Sequence, residues 1–275
     1  MKRGEIRNRQ RTISPSADPK SEWSGATPSA HLQLARETWL ALLVLLCVLA
    51  SPGFTYAQDV EALRPEAVGW ARLKTPSEYW RRHASADPTL MEFLRENTTL
   101  NIDPTWFVAD VENLQQMCAY PLLFSQGIAM LNTPTSKANL AEYMRRGGFL
   151  LIDSCIYPSV TPDPDEFYRG QVAMLQEILP EARVVELPPD HDVYKCFFQF
   201  PDGKPPHTFM AGIYDPNWAK YGLSGIMIGN RMAGIISLSG LQCGWARMEA
   251  VEGHDIECMR MLVNIYIWAM TQGAE

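Results

Sequence analysis

Short apolar runs alternate with amphipathic segments along most of the chain after residue 67. The runs are short enough for strands and are bounded by glycine, proline and aspartate. Predicted strands cover residues 68–73, 106–109, 121–124, 149–153, 183–187, 225–229 and 233–238. One predicted helix begins at Asp87, and three others cover residues 133–146, 167–179 and 258–270. Continuous apolar strands that alternate with helices indicate an α/β fold, with a mainly parallel sheet and helices on both faces.

Capping residues mark the ends of several predicted helices. Asp87 followed by Pro88 predicts a helix start with the aspartate as N-cap, and Thr133 followed by Pro134 predicts another. Gly147 is placed to stop the second of these helices in a left-handed conformation. Asn264 lies in an otherwise apolar helix, so we expect its amide to tie that helix to a loop or sheet-edge backbone.

The first 57 residues differ in pattern from the rest. Residues 1–36 lack apolar periodicity, residues 39–50 are apolar throughout, and residues 55–57 read Thr-Tyr-Ala before Gln58. This layout predicts a disordered leader and a signal peptide that is cleaved after Ala57, which would leave a single domain over residues 58–275. The prediction is therefore a secreted or periplasmic protein. The alternative is an uncleaved 39–57 segment that anchors the chain in the inner membrane, facing outward.

Composition and charge limit the possible partners. The chain has 24 Lys+Arg and 31 Asp+Glu, a net charge of −7, and a pI near 5.3. A general nucleic-acid binder needs a basic face, so this class of partner is not expected. The sequence contains no C-x-x-C pair and no glycine-rich phosphate loop, so we predict neither a metal nor a cofactor.

Candidate chemistry lies at the carboxyl ends of the predicted strands, where ligand sites form in such sheets. Two functions are compatible with it, and enzymatic activity stays open. A hydrolase would use Cys155 as nucleophile, or a His191-bound water, with Asp153 nearby. A binding module would use the same loops for recognition, with Trp245 as an apolar platform on a loop. The candidate ligand-binding residues are Ser125, Gln126, Asp153, Asp190, His191, Cys243 and Trp245.

His191 is flanked by Asp190 and Asp192. These carboxylates favour the charged imidazolium, so the sequence predicts a pKa for His191 above its ordinary value of about 6.5. Such a histidine would suit a ligand contact better than a metal site, because a metal ligand must be neutral.

Several motifs together resemble one protein family. They are the segments 120–127, 140–143, 146–153, 187–191, 243–245 and 264–266. In order and spacing they resemble the bacterial domain-of-unknown-function family 4159, over about residues 69–271. The resemblance implies a flavodoxin-like sheet, similar to class I glutamine amidotransferases and to ThuA-like proteins linked to sugar metabolism. No catalytic residue is established for the family, so the resemblance transfers none.

This chain departs from that family at three positions. Relatives usually carry a histidine within the segment 125–128, a second aspartate at Ser154, and an aspartate at Gly240. The loss of three polar groups weakens the case for acid–base catalysis. The resemblance therefore favours a ligand-binding or protein-interaction module with a degenerate site, with a hydrolase acting on a small or carbohydrate-related substrate as the alternative. Expected partners are an envelope protein or a small-molecule or carbohydrate ligand, and a third possibility is a structural subunit of a membrane-associated complex.

Overall fold

The computed structural model describes residues 67–154, 163–206, 222–246 and 253–271. The predicted leader, the signal peptide with its cleavage after Ala57, and Cys155 all lie outside these residues. None of the helices within them combines the length and the hydropathy that a membrane crossing requires.

The described residues form one seven-stranded sheet in the order β2-β1-β3-β4-β7-β6-β5. The strands β1, β2, β3, β4 and β7 pair in parallel, while β6 is antiparallel to both β7 and β5. Their bounds are β1 Val68–Lys74, β2 Ile102–Asp110, β3 Leu122–Ser125, β4 Phe149–Asp153, β5 Ala182–Glu186, β6 Ser224–Ile228 and β7 Arg231–Ser237. The prediction of an α/β fold with a mainly parallel sheet is confirmed, and β6 is the strand that runs in the opposite direction among those described.

Helices cover both faces of this sheet. Their bounds are α1 Asp87–Asn97, α2 Leu114–Cys118, α3 Pro134–Arg145, α4 Pro164–Ile178, α5 Leu241–Trp245 and α6 His254–Thr271. Short 3-10 turns cover Glu78–Arg81, Ala84–Ala86 and Asp192–Tyr194. Because successive strand residues point to opposite faces, Phe124 packs with α1, α5 and α6, whereas Leu123 packs with α2, α3 and α4. The result is the three-layered arrangement typical of flavodoxin-like proteins.

Local signals set the ends of α3 as predicted. The Thr133 hydroxyl accepts a hydrogen bond from the Ser136 amide at 3.0 Å, which satisfies one of the unpaired N–H groups of the first turn. Gly147 follows the helix with a φ of 108°, a region that favours glycine. Both ends therefore depend on residues within a few positions of the helix itself.

Asn264 ties α6 to the segment that follows β5, as the sequence predicts. Its Nδ2 donates to the carbonyls of Val193 at 2.9 Å and Phe198 at 2.8 Å, and its Oδ1 accepts from the Phe198 amide at 2.7 Å. The side chain is fully buried, and these three bonds pair both of its polar atoms.

Candidate functional site

The strand order reverses between β1 and β3. From β1 the chain goes to β2 on one side, and β3 then lies on the other side of β1. Loops that leave the carboxyl ends of such neighbouring strands diverge and open a crevice. A cavity of about 380 Å³ lies at this point, and we call it the switch-point cavity.

Three segments line the switch-point cavity: one after β1, one after β3, and the start of α4. The lining residues are Thr75, Ser77, Tyr79, Trp80, Gln126, Gly127, Ala129, Met130, Asp163, Glu166, Phe167, Gly170 and Gln171. Gln126 is the one predicted ligand-binding residue among them. The contributions of the segment after β1 and of α4 were not anticipated from the sequence, although Asp163-Pro164 is a readable helix start.

The loop after β3 is held by hydrogen bonds within and across the cavity. Ser125 Oγ donates to the Gly127 carbonyl at 3.1 Å and accepts from the Gly127 amide at 3.2 Å. Gln171 Oε1 accepts from the amides of Ile128 at 2.7 Å and Ala129 at 3.3 Å, and its Nε2 donates to the Phe167 carbonyl at 3.3 Å. Ser125 is buried and shapes the turn, so it supports the loop beneath the cavity.

Gln126 stands apart from this network. Its Oε1 and Nε2 are both buried, and neither has a hydrogen-bond partner among the described residues. Leaving a buried amide unpaired costs about 1–3 kcal/mol, so such a group normally finds a partner. The other described residues with an unpaired buried atom do not line the cavity; they include Ser154, Ser239, Gln242, Trp245 and Trp268. Among the described residues, Gln126 is therefore the lining residue whose buried amide lacks a partner.

A buried ion pair fixes the wall of the cavity that follows β1. Arg72 Nε and Nη2 donate to the two oxygens of Asp87, each at 2.6 Å, and both side chains are fully buried. Trp70 Nε1 donates to the same carboxylate at 3.0 Å. The guanidinium lies 5.1 Å from the Phe124 ring centroid. The prediction that Asp87 is an N-cap is wrong: Ala86 occupies that position without a side-chain bond, and the Asp87 carboxylate is directed to Arg72.

The same guanidinium reaches the wall itself. Arg72 Nη1 donates to the carbonyls of Trp80 at 2.9 Å and Arg82 at 3.0 Å. Gln242 Nε2 donates to the Arg82 carbonyl at 2.6 Å from the other side. The segment that carries Tyr79 and Trp80 into the cavity is thus tied both to β1 and to α5.

Asp153 has a structural position at the end of β4. Its carboxylate is fully buried and accepts from the amides of Leu241 at 3.1 Å and Gln242 at 2.9 Å. A buried carboxylate at these N–H groups stabilises the start of α5. Asp153 thereby holds the backbone of Gln242, whose side chain donates to the Arg82 carbonyl, and Asp153 does not line the cavity.

Cys243 and Trp245 lie inside the protein. The prediction that Trp245 forms an exposed platform on a loop is wrong, because it lies in α5 with none of its surface exposed. Its ring packs edge to face on Phe124 and Trp70, with centroid distances of 5.2 and 5.9 Å. Cys243 is 1% exposed. The helix α5 has only five residues, too few for a periodic pattern in the sequence to show that all of them are buried.

Asp190 and His191 lie far along the sheet from the switch-point cavity. They follow β5, and three strands separate β5 from β3 in the sheet of described residues. His191 Nδ1 accepts from the Val193 amide at 3.2 Å, and its ring packs edge-on to Trp268 at 5.0 Å. The structure therefore does not bring His191 together with Gln126.

The environment of His191 lowers its pKa, and the predicted increase is wrong. Burial against α6 disfavours the charged ring and outweighs the opposing influence of Asp192 and Asp190, while Lys195 also lowers the pKa. Both aspartates are exposed, so water screens their attraction for the ring, and Asp192 also pairs with Lys195. The sequence shows that His191 lies beside acidic residues, but it does not show that the imidazole ring is partly buried.

We expect His191 to make the protein less stable in mild acid. Because its pKa is lower folded than unfolded, the unfolded chain binds a proton first, so the stabilisation from this site is complete above pH 6.5 and is lost as the pH falls toward the folded value. His191→Asn keeps an acceptor for the Val193 amide but does not titrate. Urea unfolding at about pH 7.5 and about pH 5.5 should show a smaller loss of unfolding free energy in the variant than in the natural protein. Equal losses in both proteins would contradict this assignment.

The remaining candidates for catalysis are only partly described. Cys155, the proposed nucleophile, lies outside the described residues. Within residues 67–154, 163–206, 222–246 and 253–271, no three histidine, cysteine, aspartate or glutamate side chains are grouped so as to hold a metal ion.

The comparisons with known proteins identify the family. A search of curated proteins found no match. The model of one family, described as a domain of unknown function, matches residues 70–270, which is most of the chain and nearly all of the described fold. The resemblance of the motifs around Gln126, Asp153 and His191 is confirmed by this match, and the chain belongs to the family Domain of unknown function (DUF4159).

Proposed function

We propose that this chain is a ligand-binding module and that its site is the switch-point cavity. The observation that carries the proposal is Gln126, a lining residue of the cavity whose side-chain amide is buried and unpaired among the described residues. A bound molecule with a donor and an acceptor would satisfy both atoms. A volume near 380 Å³ fits a small molecule, since ligand pockets usually measure about 300–1,000 Å³.

The polar groups outside the cavity support binding over hydrolysis. A nucleophile and its base must lie within hydrogen-bond reach of each other and of the substrate. The Asp153 carboxylate is occupied by two backbone amides, and His191 is packed on Trp268 three strands away from β3. Gln126, in contrast, lines the cavity, and its side-chain amide has no hydrogen-bond partner among the described residues.

The proposal extends to the compartment. We place the module outside the cytoplasm, after cleavage at Ala57 or anchored through residues 39–57. The support is the apolar run followed by small residues in the sequence. Its partner in the envelope is a small molecule, because the feature that carries the proposal is a cavity and not a flat surface.

Filling the cavity tests the proposal. Ala129 lines it and is exposed, so Ala129→Trp should occupy the space without disturbing the core. Ala138 is exposed on α3 and lies outside the cavity, and Ala138→Trp is the matched control. In NMR titrations with a small-molecule fragment library, we expect shifts of the Gln126 side-chain NH₂ signals in the natural protein and in Ala138→Trp, and none in Ala129→Trp. Fragments that bind all three proteins equally, or that leave the Gln126 signals in place, would refute the site.

A further inference from the structure

The charged residues that line the switch-point cavity share one sign. Among the described lining residues they are Asp163 and Glu166, at the start of α4, and both are exposed. Asp163 Oδ1 caps the helix by accepting from the amides of Asp165 at 2.8 Å and Glu166 at 3.2 Å. The positive charge of the neighbouring Arg72 guanidinium is neutralised by its ion pair with Asp87, so Arg72 adds no net positive charge beside the cavity.

Large aromatic and thioether side chains also line the cavity. Tyr79 is 43% exposed and Met130 is 64% exposed. Both side chains are large and hydrophobic, so their contact with water is unfavourable. Trp80 and Phe167 belong to the same lining and are less exposed. Aromatic faces attract cations, and they also cover the apolar body of a ligand. The Arg82 guanidinium lies 5.9 Å from the Tyr79 centroid, so a cation already packs against one of these rings.

Two independent features therefore converge on one class of ligand. The buried Gln126 amide requires a partner, and the rim combines two carboxylates with aromatic faces. We infer that the switch-point cavity binds a small organic cation: an ammonium or guanidinium compound with an apolar or aromatic body and a neutral hydrogen-bonding group. The ammonium lies at Asp163 and Glu166, the body packs on Trp80 and Phe167, and the neutral group pairs with Gln126. This inference rests on the proposed function.

Three probes with the same phenol and different head groups test the charge. They are tyramine, which carries an ammonium; 4-(2-hydroxyethyl)phenol, which carries a hydroxyl; and 3-(4-hydroxyphenyl)propanoate, which carries a carboxylate. We expect tyramine to bind most tightly and the carboxylate least tightly, with about a five-fold advantage of the ammonium over the hydroxyl. Raising the ionic strength should weaken tyramine binding and leave binding of the neutral probe unchanged.

Conservative substitutions locate the effect. Glu166→Gln and Asp163→Asn remove charge, and asparagine retains the helix cap. Each should reduce the preference for tyramine over the neutral probe about two-fold and leave the affinity of the neutral probe unchanged. Glu177, farther along the same helix, pairs with Lys137 outside the cavity, so Glu177→Gln is the control and should change neither affinity.

The outcomes separate this inference from the proposed function. Equal binding of all three probes, tighter binding of the carboxylate, or a preference that persists in the Glu166 and Asp163 variants would overturn the cationic ligand. If Ala129→Trp still abolished binding in those cases, the cavity would stand as the site for another class of ligand. Probe binding that Ala129→Trp does not affect would overturn both.

Discussion

Replacing Asp87 by alanine should lower the free energy of unfolding by about 3–5 kcal/mol, the largest effect that we expect from a single substitution. The variant leaves the Arg72 guanidinium buried at 0% exposure without its counter-ion, and it removes the acceptor of Trp70 Nε1. An unpaired charge in the interior cannot recover its lost hydration. Urea unfolding monitored by circular dichroism measures the difference directly.

The control for Asp87 is an ion pair of similar geometry that is exposed. Arg145 donates to Glu181 through Nε at 2.7 Å and through Nη2 at 3.2 Å, but both side chains are more than 40% exposed. Glu181→Ala should therefore cost no more than about 1 kcal/mol. Similar costs for the two substitutions would mean that the Arg72 pair is solvated in solution, contrary to its position in the structure.

Replacing Gln126 by leucine should stabilise the protein and abolish ligand binding. Leucine fills a similar volume and removes two buried polar atoms that lack partners, so the free energy of unfolding should rise by about 1–3 kcal/mol. Loss of the amide removes the group that we assign to ligand recognition. Stability measured by urea unfolding and tyramine affinity measured by calorimetry should therefore change in opposite directions.

Gln171 is the matched control, because it lines the same cavity with its amide satisfied. Gln171→Leu leaves the amides of Ile128 and Ala129 without their acceptor and should lower the free energy of unfolding by about 1–3 kcal/mol. Two glutamine-to-leucine changes in one cavity should thus have opposite signs. A destabilised Gln126→Leu protein would show that the amide already has a partner within the fold.

Elements with strong local signals were predictable from the sequence. The strand β4 is five consecutive buried residues, Phe149–Asp153, and it follows a helix with a threonine cap at one end and a glycine stop at the other. The hairpin of β6 and β7 was also predicted, around Asn230. Periodicity, capping and turns depend on residues close in sequence, and they are therefore legible before the chain folds.

Polar residues with distant partners were assigned less well. Asp87 had every local mark of an N-cap, but a stronger partner, Arg72, lies 15 residues away in sequence. Trp245 was expected on a loop, but it is buried in α5. It packs on Trp70 from β1 and on Phe124 from β3, and both are remote from it in sequence. The pKa of His191 is set by packing against α6, which no pattern around residue 191 encodes.

By itself, the sequence determined the α/β class, the family, and most of the strands and helices. The tertiary structure decided which of the candidate residues lines the cavity, namely Gln126. Segments near residues 75, 126 and 166 meet only because the strand order reverses between β1 and β3. Which polar groups are buried, and whether they find partners, depends on neighbours that are remote in the chain, and only the folded structure brings those neighbours into contact.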